Sequence, residues 1–247
     1  MIEIGCIREI TRYPVKSMAG IAVESAQVGW HGLAGDRRFA FRRMDAEDAF
    51  PWLSASRLPE MLSYTPVGLD ESSGEPLSTH VLAPDGARLE LGSAELNNAL
   101  SDRFGSRLEL MRLKHGIFDE AAVSVLNLAT IAGIGREAGL TLDRRRFRAN
   151  ILLESEQAQP FAEDGWVGGR LLIGEGESRV VLSVTQGTLR CTMINLDPDT
   201  GEKDARVMRA AVRLNRNVAG VYATVVRAGT IRVGDAVRFQ AESPDFG

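Results

Sequence analysis

Cys191 has the best placement for chemistry of any side chain in this sequence. It lies in Thr188-Leu189-Arg190-Cys191-Thr192, between an apolar β-branched run and the turn-forming Asp197-Pro198-Asp199-Thr200-Gly201. A thiol at a strand end is accessible, and a neighbouring cation such as Arg190 favours the thiolate, the form that ligates or attacks. The competing reading is a buried, inert cysteine, the commoner fate of a lone Cys; Cys6, in an apolar strand, fits that description. A second group is basic. Arg144, Arg145, Arg146 and Arg148 precede Asn150 and a strand starting near Ile151. If the chain is already extended there, Arg146, Arg148 and Asn150 share one face and can bind a phosphate through the planar guanidinium fork. The alternative is a solvated basic run paired with Asp143 and Glu154. Lys16 and Ser17, in Tyr13-Pro14-Val15-Lys16-Ser17-Met18-Ala19-Gly20, can meet an anion or simply form a turn, and Arg37 and Arg57 are surface arginines when each is taken alone.

The frame for these residues is strand-rich. Ile2 and Ile4, Ile21 and Val23, and Phe39 and Phe41 alternate in short segments punctuated by Gly and Pro, the pattern of barrel strands. Val81 to Leu91 folds back at Ala83-Pro84-Asp85-Gly86 as a hairpin. Ser93 caps a helix through Leu96, Leu100 and Phe104 that stops at Gly105, and Leu108 to Leu113 resumes a strand. Asn127 caps a second helix to about Ala138 with Gly139 as its stop. Ile151 to Leu153, Leu171 to Ile173 and Val180 to Val184 read as buried strands. A third helix over Lys203 to Leu214 puts Val207, Ala211 and Leu214 on one stripe. Val221 to Val226 and Ala236 to Phe239 flank Gly229-Thr230-Ile231-Arg232-Val233-Gly234-Asp235 as closing strands. The expected class is mainly β, with barrels and a few helices, and a domain join near residue 110.

Composition excludes several classes. The 247 residues are 44% hydrophobic and 25% charged, ordinary for a globular enzyme. A net charge of -4 disfavours nucleic acid as a partner. Glu3, Arg8, Glu9, Arg12 and Lys16 interrupt any signal-like run, and no apolar segment is long enough for a membrane span, so the expectation is a cytoplasmic protein with no membrane partner. Two cysteines and three histidines, His31, His80 and His115, show no ligand spacing, so any metal must arrive within a cofactor.

Seven segments in order carry a resemblance: Tyr13-Pro14-Val15-Lys16-Ser17, Gly35-Asp36-Arg37, Leu53-Ser54-Ala55-Ser56-Arg57, Phe147-Arg148-Ala149-Asn150-Ile151, Arg190-Cys191, the 197–201 turn and the closing 229–235 segment. Nearly the whole chain resembles the MOSC family, in the subgroup that carries a MOSC N-terminal β-barrel domain and includes amidoxime reducing components. The resemblance implies an N-terminal barrel domain over 1–110 and a MOSC domain over 111–247. It implies a molybdenum cofactor (molybdopterin) between them, with the Cys191 sulfur on molybdenum and catalytic, and Arg190 beside it. Lys16, Ser17, Arg37, Arg148 and Asn150 would meet the phosphate, and Arg57 the pterin or the domain interface. Met18 stands where relatives often have cysteine, and Leu189 where some have a small hydroxyl residue, so the substrate side of the pocket is expected to differ. The implied activity is reduction of a small N-hydroxylated substrate. Two cysteines cannot hold an iron-sulfur cluster, so electrons are expected from a separate, ferredoxin-like or other, donor protein. No Schiff-base lysine context for pyridoxal phosphate is present. Two other functions are compatible with the same motifs: a sulfur carrier with a persulfide on Cys191, and a non-catalytic cofactor-binding module.

Overall fold

The computed structural model describes residues 1–47 and 49–241. Its main feature is a closed seven-stranded β-barrel. Around the barrel run Ile151–Ser155, Val123–Asn127, Val218–Arg227, Val180–Leu189, Arg170–Ile173, Ala236–Gln240 and Ile2–Arg12, which pairs back onto Ile151–Ser155. The N-terminal strand therefore closes a barrel whose other staves all come from beyond residue 122. Ile21–Val23 adds to its outer edge. Closure needs a break in regular register between Glu3 and Gly5, and Gly5 sits there with φ +141. A Cβ at that position would fall on the carbonyl of Glu154 in the neighbouring strand.

Alternation explains the continuous apolar runs. Ile151 and Leu153 point into the barrel with Val123, Val125, Val221 and Ala223, whereas Leu152 points outward. There it meets two helices, Leu128–Ala138 (α2) and Ala205–Asn215 (α3). Strands buried on both faces need no polar alternate. A separate core packs Val15, Met18, Phe39, Phe41, Met61, Val81 and Leu96 under the helix Ala94–Phe104 (α1), the strands Phe39–Arg43 and Leu108–Arg112, and a three-stranded sheet over residues 65–90. The 80–90 hairpin turns as its Pro-Asp-Gly sequence expects.

The caps follow the sequence closely. Ser93 Oγ accepts from Leu96 N and Gly105 closes α1 in the left-handed region; Asn127 and Gly139 do the same for α2. Two expectations are corrected. Leu214 is 41% exposed, so α3 buries Val207, Ala210 and Ala211 instead of the 207/211/214 stripe. The chain is not extended from Arg146: Arg144–Phe147 is a 3-10 turn and Arg148 is left-handed, so the strand starts only at Ile151 and the 146/148/150 alternation does not exist. Among the described residues no helix is long and apolar enough to cross a membrane.

Candidate active site

A cavity of about 750 Å³ opens between the two cores. From the side of the core under α1 come Lys16, Ser17, Arg37 and Trp52; from the barrel and its loops come Arg146, Arg148, Arg190, Cys191 and Tyr222. Five cationic side chains line it against two carboxylates, Asp119 and Glu120. Segments more than a hundred residues apart meet here, where Arg37 and Met18 on one side bond Arg148 and Asn150 on the other, the point at which the two stretches of chain cross. Asn150 is the strut at that crossing. Buried to 1%, its Oδ1 accepts from Arg37 Nη1 (3.0 Å) and from Ser124 N and Oγ, and its Nδ2 donates to Thr11 O (3.2 Å). Held by these four bonds, Asn150 joins the two segments without lining the cavity.

Arg37 is likewise committed. Its guanidinium donates to Asp36 (2.5 Å), Asp119 (2.6 Å), Asn150 Oδ1 and the Arg148 carbonyl (3.0 Å), and the two carboxylates hold its pKa above the usual guanidinium range despite burial. Arg148 differs. Its Nη1 donates to Met18 O (2.7 Å) and its guanidinium lies 4.2 Å from the Tyr13 ring centroid. Desolvation, with Arg37 adding repulsion against a partial offset from Tyr13, draws it down to about 10. Lys16 reaches the Phe118 carbonyl (2.8 Å) and is also lowered, chiefly by burial, with Arg37 and Arg148 acting in the same direction and Asp119 opposing. Arg190 bonds the carbonyls of Ala219 (2.7 Å) and Phe147 (2.6 Å), is lowered by burial, and leaves Nη2 without a partner. Three cations whose charged forms are penalised by burial in the cavity would gain from an arriving anion.

Backbone conformation points the same way. Ser17, Arg37 and Arg148 have φ of 70°, 45° and 50°, a region that few non-glycine residues occupy; Ala158, Phe161, Arg216 and Asn217 do so elsewhere in the chain, but three of these positions meet at this one cavity. Cys191 is exposed on the cavity wall, just past the strand Val180–Leu189 and at the N-terminus of the 3-10 turn Thr192–Asn195. Cys6 lies apart on the first barrel strand. Arg57 is exposed and does not line the cavity, although Ser54 and Ser56 do. The basic run is mostly spent on ion pairs: Arg144 with Glu9, Arg145 with Asp143 and Asp199, and Arg146 with Asp197. Glu154, expected among these partners, faces Arg8 instead.

Sequence reasoning did not find Asp119, Tyr222 or the edge-to-face pair of Trp52 and Phe118 (4.6 Å). Asp119 is held low by Arg37 and Lys16 against the opposing effect of burial, and burial raises Tyr222 to about 12. Only Tyr222 left a trace in the sequence, as the one polar alternate between Val221 and Ala223. Among the described residues no group of three or more His, Cys, Asp or Glu is placed to hold a metal ion.

Residues 112–238 match the profile of the MOSC domain, and residues 4–91 that of the MOSC N-terminal beta barrel domain. The chain belongs to the MOSC family. Other MOSC-related sequences include the mitochondrial amidoxime reducing component 2 of Bos taurus, 24% identical over 95% of this chain and 83% of its own length. The molybdenum cofactor sulfurase of Solanum lycopersicum is 23% identical over 79% of this chain, which spans only 29% of that protein. The crystal structure of the YUAD protein from Bacillus subtilis shares the MOSC chain's fold, with a TM-score of 0.52 at 13% identity over 97% of each chain.

Proposed function

We propose that the cavity holds a molybdenum cofactor and that the protein is an oxidoreductase for small N-hydroxylated compounds, supplied with electrons by a separate donor protein. The observation that carries this reading is the meeting, in one cavity, of an exposed Cys191 thiol with the strained residues Ser17 and Arg148 and the desolvated cations Lys16 and Arg190. The kinship with an amidoxime reducing component supplies the substrate class.

The donor set fits such a group. A dithiolene cofactor would bring its own two sulfurs, so the single thiolate of Cys191 would be enough to hold its metal to the chain. Its phosphate needs cations and backbone donors, and Lys16, Ser17 and Arg148 stand together on the wall. Arg190 Nη2 and Thr188 Oγ1 are buried on cavity-lining residues with no hydrogen-bond partner in the protein, donors that a polar ligand would satisfy. When bound, the cofactor supplies two-electron removal of oxygen from nitrogen. The chain's own contributions are positional and electrostatic. Arg37 and Asn150 hold the two cores in register, Lys16 and Arg148 neutralise phosphate, and Trp52 with Phe118 forms an apolar wall that excludes water. Tyr222, held neutral by burial, keeps a hydroxyl proton available to a ligand at the cavity wall.

The test is to produce the protein in cells that make the cofactor, measure molybdenum and released pterin, and follow benzamidoxime reduction with an artificial electron donor. About one molybdenum per chain with turnover is expected; no bound molybdenum removes the reading. The kinship with a molybdenum cofactor sulfurase and the exposure of Cys191 favour one alternative, a persulfide carrier. Mass spectrometry showing an added sulfur on Cys191, without reductase turnover, would select it.

A further inference from the structure

The turn that carries Cys191 is held by a side chain outside the set assigned above. Arg146 extends from the 3-10 turn Arg144–Phe147, donates Nη1 to Asn195 O (2.9 Å) and Nη2 to Asp197 Oδ2 (2.8 Å), and keeps only 11% of its side chain exposed. The same Asn195 carbonyl accepts from Asp204 N (2.8 Å), and Asn195 Oδ1 accepts from Met208 N (2.8 Å), tying the turn to the start of α3. Two residues along from Arg146 stands Arg148, and four residues before Asn195 stands Cys191. One guanidinium thus spans the two segments that carry the cation and the sulfur.

We infer that Arg146 is a positioning residue: its two-pronged bond fixes where the Cys191 sulfur stands relative to Arg148. A freely solvated arginine would not leave Nε buried and unpartnered, as Arg146 does; the planar fork, not the charge alone, is what the site uses. A lysine at 146 keeps the charge but lacks the planar fork that presents Nη1 and Nη2 to two separate acceptors. The inference rests on the molybdenum reading for its meaning in catalysis, yet the placement of the turn can be measured without metal.

The test compares Arg146→Lys and Asp197→Asn with the unaltered protein, and uses Arg206→Gln as control, because among the described residues Arg206 pairs only with Asp204 at the start of its own helix. In the apo protein, hydrogen exchange over residues 192–197 should accelerate about tenfold or more in both variants, since a partly buried charge-assisted bond is weakened or lost, while residues 180–189 stay protected. In the molybdenum-loaded protein, the thiolate-to-metal absorption band should shift and turnover per bound molybdenum should fall at unchanged KM. The control should change none of these. Unchanged exchange and an unshifted band in both variants overturn the inference, as does a band that stays put while the whole protein merely melts earlier. Absence of molybdenum from every protein would defeat the functional reading and leave the exchange result to decide the role of Arg146.

Discussion

Replacing Arg37 with methionine separates a structural cation from a ligand-binding one. Methionine nearly matches the length of the arginine stem, so little cavity is created and the loss is chiefly charge and hydrogen bonding. Asp36 is fully buried and would keep only the Tyr13 amide (2.6 Å) as a close donor; Asp119, with 19% of its side chain exposed, would lose its 2.6 Å partner. Removing one member of a buried pair costs about 3–5 kcal/mol, because a charge is left without compensation. For a chain of this size that is a fall of roughly 6–20 °C in the unfolding midpoint. The assay is thermal unfolding followed by circular dichroism at pH 7, with Asp36→Asn added to Arg37→Met as a second step. The double variant should recover part of the loss, because the stranded charge is gone. A midpoint within about 2 °C of the unaltered protein, or a double variant less stable than the single, would refute the view of Arg37 as a strut.

Arg148→Met should behave in the opposite way, costing at most about 1 kcal/mol because desolvation and Arg37 already penalise its charge, yet abolishing the uptake of inorganic pyrophosphate measured by calorimetry. Glu163, fully buried where it accepts from Thr130 Oγ1 (2.9 Å), has its pKa raised first by burial. Between the unfolded carboxyl value of about 4.3 and its higher folded value, the unfolded chain gives up this proton and the folded one keeps it. Stability therefore falls as pH rises through that window, and Glu163→Gln should flatten this part of the midpoint-against-pH curve. Gly5→Ala, which forces a Cβ onto the Glu154 carbonyl at positive φ, should destabilise barrel closure by at least about 1 kcal/mol in urea unfolding.

Local physics made much of the fold legible. Ser93 with Gly105 and Asn127 with Gly139 bracket their helices because capping is decided within a few residues, and the 80–90 hairpin follows from its Pro-Asp-Gly turn. Cys191 could be placed at an exposed strand end for the same reason. Lys16, Ser17, Arg37 and Arg148 were identifiable as residue types able to meet an anion, but their division of labour was not. Which arginine is spent on carboxylates and which still has donors to offer depends largely on partners distant in sequence, Asp119 for Arg37, Glu9 for Arg144 and Asp197 for Arg146, and no local window contains them. The basic run shows the limit most clearly: three of its arginines, Arg146 on the cavity wall among them, are neutralised by Glu9, Asp143, Asp197 and Asp199, and the fourth, Arg148, enters the cavity from a left-handed turn without a carboxylate partner among the described residues. Closure of the barrel by Ile2–Arg12 was hidden likewise, because strand pairing is a contact between distant segments, whereas composition and periodicity record only which faces are apolar.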